Sequence, residues 1–242
     1  MNISEQFLNR TVWQQFIDPK SGLLLLELRK ASDRSLSYMV YSLSTHTMVS
    51  DFTPNHDEWW NKVVLFYDEK IVFTRFKDES PEVQGTYISN LSGEIFWSDD
   101  TCSPIIENNK IKIDSALVKN NNEVSSLFTK TIEEPKIIQP LSYLAETDHF
   151  NTVASFLKEK LKCTPIEVIE YLEFNQKIVI SFHTLTNNRI ENSIIVLDTG
   201  GNILFHDSIS SERKGIGFGT FYVYKNQCIY IKNLEYLKTI AL

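Results

Sequence analysis

Residues 70–99 read KIVFTRFKDESPEVQGTYISNLSGEIFWSD, and residues 177–208 read KIVISFHTLTNNRIENSIIVLDTGGNILFHDS. The second stretch repeats the first in outline. Ile71, Val72 and Phe73 stand where Ile178, Val179 and Ile180 stand. Leu91 answers to Leu197 and Asp99 to Asp207, and GEIFW from Gly93 answers to GNILF from Gly201. A third copy lies upstream in LLLLELRKASDRSLSYMVYSLSTHTMVSD, residues 23–51, with Leu43 for Leu91 and Asp51 for Asp99. Leu43 and Leu91 are 48 residues apart, and Ile95 and Ile203 are 108 apart, about two periods. A fixed period of about 40–50 residues with strands inside it is the mark of a propeller blade.

One period explains itself physically. Residues 62–67 form a strand, 68–70 a tight hairpin, 71–76 a second strand, 77–85 a longer polar loop, 86–91 a third strand and 95–98 a fourth. β-Branched and aromatic residues dominate each run, and turn formers separate them. Such a four-stranded sheet leaves both faces poorly covered when alone, and stacking copies buries them. The later copy places strands at 168–172, 178–183, 194–197 and 203–206, with the glycines of TGGN in a hairpin turn. The last segment, from 220 on, supplies two strands around KNQ and then a third, one short of a full unit. TVWQQF, residues 11–16, either belongs to the first unit or completes the last one.

The stretch 102–165 breaks the rhythm. Residues 109–119 read as a degenerate hairpin and 131–140 as extended loop. Residues 147–161 read as a helix, because Phe150, Val153, Phe156, Leu157 and Leu161 recur on one side. Thr147 or Asp148 caps its start and Pro165 lies past its end. The expected fold is therefore all-β: one propeller-like domain over residues 1–242 with about five blades and a helical insertion at 147–161. A four-bladed or incomplete ring is the alternative.

Composition narrows the function classes. The chain has 242 residues, 42% hydrophobic and 23% charged, with a formal net charge of −7, an ordinary globular balance. No extended basic cluster is present, which argues against nucleic acid, where phosphate neutralisation supplies most of the affinity. Three cysteines (Cys102, Cys163, Cys228), an odd count at wide spacing, suit neither a disulfide framework nor a thiolate zinc site. The N-terminal residues lack the pattern of a signal peptide, and no apolar run approaches the roughly 20 residues that span a bilayer. The expectation is a cytoplasmic protein with neither membrane nor nucleic acid among its partners, and with no cofactor or metal.

Chemistry-bearing residues are sparse. In NHDEWW, residues 55–60, the trio His56, Asp57 and Glu58 has metal-ligand chemistry, and Trp59 and Trp60 suit stacking on a sugar or an apolar ligand. Adjacent residues of an extended chain point to opposite faces, so the two carboxylates do not converge easily; core tryptophans at the start of a blade are the plainer reading. His56, Trp59 and Trp60 are the ligand-site candidates, and no catalytic residue is assignable. His206 beside Asp207 is adjacency rather than a dyad, and its match to Phe96 or Trp97 points to packing. His183 ends a strand where the earlier copy has Phe76, and His149 opens the helix as a surface residue. GIGFGT, residues 215–220, looks like a phosphate loop, but a strand follows it where a helix N-terminus is needed.

LLLLELR, the Trp59–Trp60 pair, QGTYISNLSGEIFW, EYLEFNQKIVISFH and GIGFGTFYVYKNQCIYIKN resemble an uncharacterised propeller-like family of Bacteroidetes, the domain of unknown function DUF4905. The resemblance runs from Trp13 to Leu242. It implies a fold and carries no catalytic residue. Function is thus expected to be that of a non-enzymatic binding or interaction scaffold, with an unknown protein or small molecule as partner. The alternative is an enzyme or small-ligand binder using a central channel mouth. A structural role in a homo-oligomer, through the helix, is a third reading.

Overall fold

A computed structural model describes residues 2–54, 59–77, 80–100, 104–107, 110–112, 136–213 and 215–242. Within these the chain is all-β with one helix, and every strand pairing is antiparallel. Strand β1 (Ile3–Phe7) stands apart from those that follow it. The first sheet is β2 (Thr11–Ile17), β3 (Leu23–Lys30), β4 (Ser35–Ser42) and β5 (Thr47–Phe52), in that spatial order. The second is β6 (Asn61–Tyr67), β7 (Lys70–Phe76), β8 (Val83–Ser89) and β9 (Ile95–Asp99). A hairpin of β10 (Ile105–Glu107) and β11 (Lys110–Lys112) follows. After β12 (Ile137–Ile138) comes a third sheet of β13 (Leu141–Leu144), β14 (Pro165–Phe174), β15 (Lys177–Thr186), β16 (Arg189–Asp198) and β17 (Ile203–Arg213), with helix α1 (Asp148–Leu161) between β13 and β14. The fourth sheet runs β1, β20 (Tyr236–Ala241), β19 (Gln227–Lys232), β18 (Phe221–Tyr224), β12.

The chain divides into two compact units. The inserted unit is residues 10–135 and the bracketing unit is residues 1–9 with 136–242. TVWQQF lies in β2 of the first sheet, so it does not complete the last one. Ile3–Phe7 does that, pairing Ile3 with Ile240 through Phe7 with Tyr236. The degenerate hairpin expected at 109–119 is seen only as β11 paired with β10, and residues 113–119 lie outside the described residues. The loop expected at 131–140 is described from 136, and its Ile137 and Ile138 pair with Tyr224 and Val223.

A register detail recurs in three sheets. Val49 interrupts the β4–β5 ladder, Phe96 the β8–β9 ladder and Leu204 the β16–β17 ladder, each as one extra residue. Such a bulge bends the strand and turns its extra side chain outward, and all three side chains are exposed. Hairpin turns follow residue chemistry less strictly than expected. Asp68 and Glu69 both have positive φ (53° and 59°), as do Asn187 and Asn188 (51° and 60°), the conformation of a two-residue turn matched to strand twist.

The inserted unit's core lies between its two four-stranded sheets. Leu23, Leu25, Tyr38 and Val40 meet Val63, Ile71, Phe73 and Tyr87, and Tyr38 sets its ring edge-on to Phe73 at 5.1 Å. The bracketing unit repeats the plan, with Val179, Ile194 and Val196 against Phe221, Val223, Cys228 and Tyr230. The opposite face of its five-stranded sheet is covered by α1, whose Phe150 and Leu157 pack on Ile169, Ile180, Phe182 and Ile195. Thr147 caps that helix by accepting the Phe150 N–H at 3.3 Å, and Lys162 ends it in the left-handed region. Each side chain buried this way stabilises by about 1.5–3 kcal/mol relative to exposure.

Candidate functional site

The tryptophan candidates sit where the chain enters β6. Trp59 is half-buried and Trp60 exposed, while His56, Asp57 and Glu58 lie outside the described residues. What holds Trp59 is an arginine of the first sheet. The Arg29 guanidinium lies 4.7 Å from the Trp59 ring centre and 5.3 Å from that of Trp13. It donates to the carbonyls of Trp59 (2.9 Å) and Asn61 (3.4 Å) and pairs with Glu27 at 2.6 Å. Trp13 reaches this position because it is the extra residue of a bulge in β2. A cation between two indoles is favourable by about 0.5–2 kcal/mol. The stack on Arg29 is therefore filled from within the protein, and Trp60, beside it, is exposed.

Trp59 and Trp60, with Ala31, Arg34, Phe76 and Pro81, line a cleft of about 650 Å³. Arg34 is exposed, at the β3–β4 turn, and supplies its positive charge. Phe76 also lines a second cleft of about 640 Å³, with Gln14, Phe16, Lys62, Val63, Thr74 and Val83 among others. Among the described residues lining the two clefts there is no carboxylate, histidine or cysteine. They offer rings, two prolines, hydroxyls, amides and cations, which suit binding.

The glycine-rich loop does hold an anion, and the anion is the protein's own. The Glu170 carboxylate, buried on β14, accepts the backbone N–H groups of Gly219 and of Thr220 (2.9 Å) and the Thr220 hydroxyl (2.5 Å). Successive backbone amides make an anion-binding concavity without any helix. The Ser181 hydroxyl joins Thr220 Oγ1 at 2.7 Å and Asn192 Oδ1 at 2.9 Å, so the loop is tied to β14, β15 and β16 together.

Among the described residues the histidines form no metal-binding group. His149 is exposed and stacks on Tyr143 at 4.9 Å. His183 is buried on β15, opposite Asn192. His206 is exposed, which corrects the packing assignment: register pairs His206 with Ile195 and Ser98 with Tyr87, so Ser98 is its counterpart, not Phe96 or Trp97. Its neighbour Asp207 faces the other way, accepting from Tyr230 (2.7 Å) and Lys232 (2.6 Å). Burial pushes the Asp207 carboxyl up, but Lys232, Tyr230 and Lys238 outweigh it and hold the group below its ordinary range. Cys228 is buried in the core and its thiol is pushed up by burial, away from reactivity. Cys102 lies outside the described residues. Among the described residues no three His, Cys, Asp or Glu side chains form a metal-binding group, and no helix is long and apolar enough to cross a membrane.

Glu27, Arg29 and Glu170 are the residues the sequence reading passed over. The signal was present for the first two. Glu27 and Arg29 share the parity of Leu23 and Leu25, so two charges fall on the inward face of an apolar strand.

Residues 17–97 match the family model "Domain of unknown function (DUF4905)", a narrower span than the Trp13–Leu242 of the resemblance. No curated protein matches the chain. Among solved structures it is similar to a member of the DUF4221 family from Bacteroides vulgatus, at 11% identity, TM-score 0.37, covering 100% of this chain and 96% of that one. It is also similar to a chain from a study of two prolyl endopeptidases, at 7% identity and TM-score 0.27, covering 90% of this chain and 37% of that one. Scores this low establish neither a common fold nor a common activity.

Proposed function

Starting from the match to this domain of unknown function over residues 17–97, we propose that the chain is one propeller-like domain that binds a ligand or partner without transforming it. The cleft at Trp60 is its contact surface. The observation that carries this is the cleft of about 650 Å³ in which Trp59 is fixed by Arg29 while Trp60 stays exposed beside Phe76 and Pro81. A rigid wall next to an exposed indole suits contact with a sugar face or an apolar group. The four-stranded meanders, their shared bulge and the completion of the last sheet by β1 support blades, with β10–β11 as the remnant of a fifth.

A thermal-shift and tryptophan-fluorescence screen against sugars, nucleotides, divalent metals and a chelator tests it. A ligand at about 100 times its Kd adds about 2.7 kcal/mol to stability. Trp60→Ala is expected to abolish the response to any sugar or apolar hit while leaving the melting temperature of the free protein within about 2 °C. A hit whose shift survives Trp60→Ala places the contact elsewhere. A metal hit, or turnover of a hit, overturns the reading.

A further inference from the structure

Among the buried polar atoms of the inserted unit with no hydrogen-bond partner among the described residues are Glu27 Oε2, Tyr38 Oη and Asn61 Oδ1. Their residues are 1%, 0% and 1% exposed. They come from three strands, β3, β4 and the start of β6. Glu27 and Tyr38 stand directly opposite each other in the β3–β4 register. Arg29 joins them to the third, since it pairs with Glu27 Oε1 and donates to the Asn61 carbonyl. Asn61 is oriented by its amide, which donates to Tyr87 Oη at 2.7 Å.

The inventory of donors and acceptors selects the occupant. The carboxylate and the amide oxygen only accept. Tyr38 brings one proton, and burial first, then the nearby Glu27, keeps its phenol protonated far above the ordinary range. Two acceptors and one donor remain, and a water molecule donates twice and accepts once. Buried waters make about three hydrogen bonds to polar groups of this kind. A metal ion meets oxygen ligands here too, but Arg29 already neutralises Glu27, and a second buried positive charge has no counter-charge.

We propose that one water molecule is bound between the first and second sheets by Glu27 Oε2, Tyr38 Oη and Asn61 Oδ1. It goes beyond the cleft assignment and stands without it. The water fixes the carboxylate that holds Arg29, and Arg29 holds Trp59, so solvent inside the unit helps set the cleft wall.

The sign of one substitution tests this. Tyr38→Phe removes a hydroxyl. With the water in place a used hydrogen bond is lost, and the melting temperature is expected to fall by about 3 °C. Without it an unsatisfied buried hydroxyl is relieved, and the melting temperature rises or stays; that overturns the proposal. A crystal structure of the whole chain at a resolution that places ordered water is the second readout. One peak within hydrogen-bond distance of all three atoms supports the site. No peak, a direct Glu27–Asn61 contact, or an anomalous signal there after a rubidium soak overturns it.

Discussion

Glu27 and Glu170 are buried carboxylates, one in each unit, and the chain treats them oppositely. Each is a carboxylate buried on an inward sheet face, beside residues that pack against the next sheet of its own unit. Glu170 is saturated by backbone N–H groups and a hydroxyl from the loop before β18. Glu27 meets a side chain, Arg29, on one oxygen only. The first arrangement ties one sheet to a loop of the next and leaves nothing to spare. The second passes the interaction on to Trp59 and leaves one oxygen unsaturated by protein. A buried carboxylate thus serves as a lock where backbone fills it and as a relay where a side chain does. The candidate cleft lies beside the relay.

Replacing each carboxylate by its amide isostere sharpens this contrast most. Glu170→Gln turns an NH₂ group toward donors that need acceptors, so a loss of about 2–3 kcal/mol is expected by chemical denaturation. Glu27→Gln keeps an acceptor toward Arg29, which also has two carbonyls and two rings, so the cost is expected to stay well under the roughly 3–5 kcal/mol of breaking a fully buried ion pair, at about 1 kcal/mol. A larger loss at Glu27 than at Glu170 breaks the comparison.

The matching glycines give a second pair. Gly93 in the β8–β9 turn and Gly201 in the β16–β17 turn have φ of +82° and +78°, where an L side chain is strained. A Cβ at Gly93 would also drive into the Phe52 ring, whereas at Gly201 it would stop 3.3 Å from Phe156. Gly93→Ala is expected to cost about 2 kcal/mol and Gly201→Ala about 1 kcal/mol, read from urea midpoints. Equal costs would mean that Phe52 yields as easily as Phe156, against its packing on the inserted unit's core.

These pairs also show what sequence could carry. The strands of the three copies were legible because alternation and turn residues are local, and so was α1, whose cap and apolar stripe sit within one stretch. Ile3–Phe7 was not. Its apolar residues Ile3 and Phe7 are exposed, and its place in the last sheet rests on pairing with residues more than two hundred positions away. The same distinction governs the site. Trp59 and Trp60 announce themselves as a pair, while the role of Arg29 needs Trp13, Trp59 and Asn61 brought together by the sheets. GIGFGT had the composition of an anion cradle; the anion, Glu170, lies 49 residues upstream of Gly219 and no local pattern links them.

The smallest effect expected is also the one that separates the units by pH. Burial pushes Glu27 above its ordinary value of 4.5 against the pull of Arg29, while Asp207 in the bracketing unit, despite burial, is held below 3.8 by Lys232, Tyr230 and Lys238. The signs follow from proton linkage. Folded Glu27 holds its proton more tightly than the unfolded chain does, so its contribution is present at low pH and lost as pH rises through its folded pKa. Folded Asp207 releases its proton more readily, so its contribution is present above 3.8 and lost as pH falls through its folded pKa. Carboxyl ¹³C shifts followed from neutral pH into acid should give a Glu27 midpoint above 4.5 and an Asp207 midpoint below 3.8. Lys232→Met should move the Asp207 midpoint up and leave that of Glu27 in place. If both midpoints move, the two networks are coupled and the units do not titrate as separate bodies. If the Asp207 midpoint starts at or above 3.8, its lysines do not overcome burial, and the two carboxylates are alike after all.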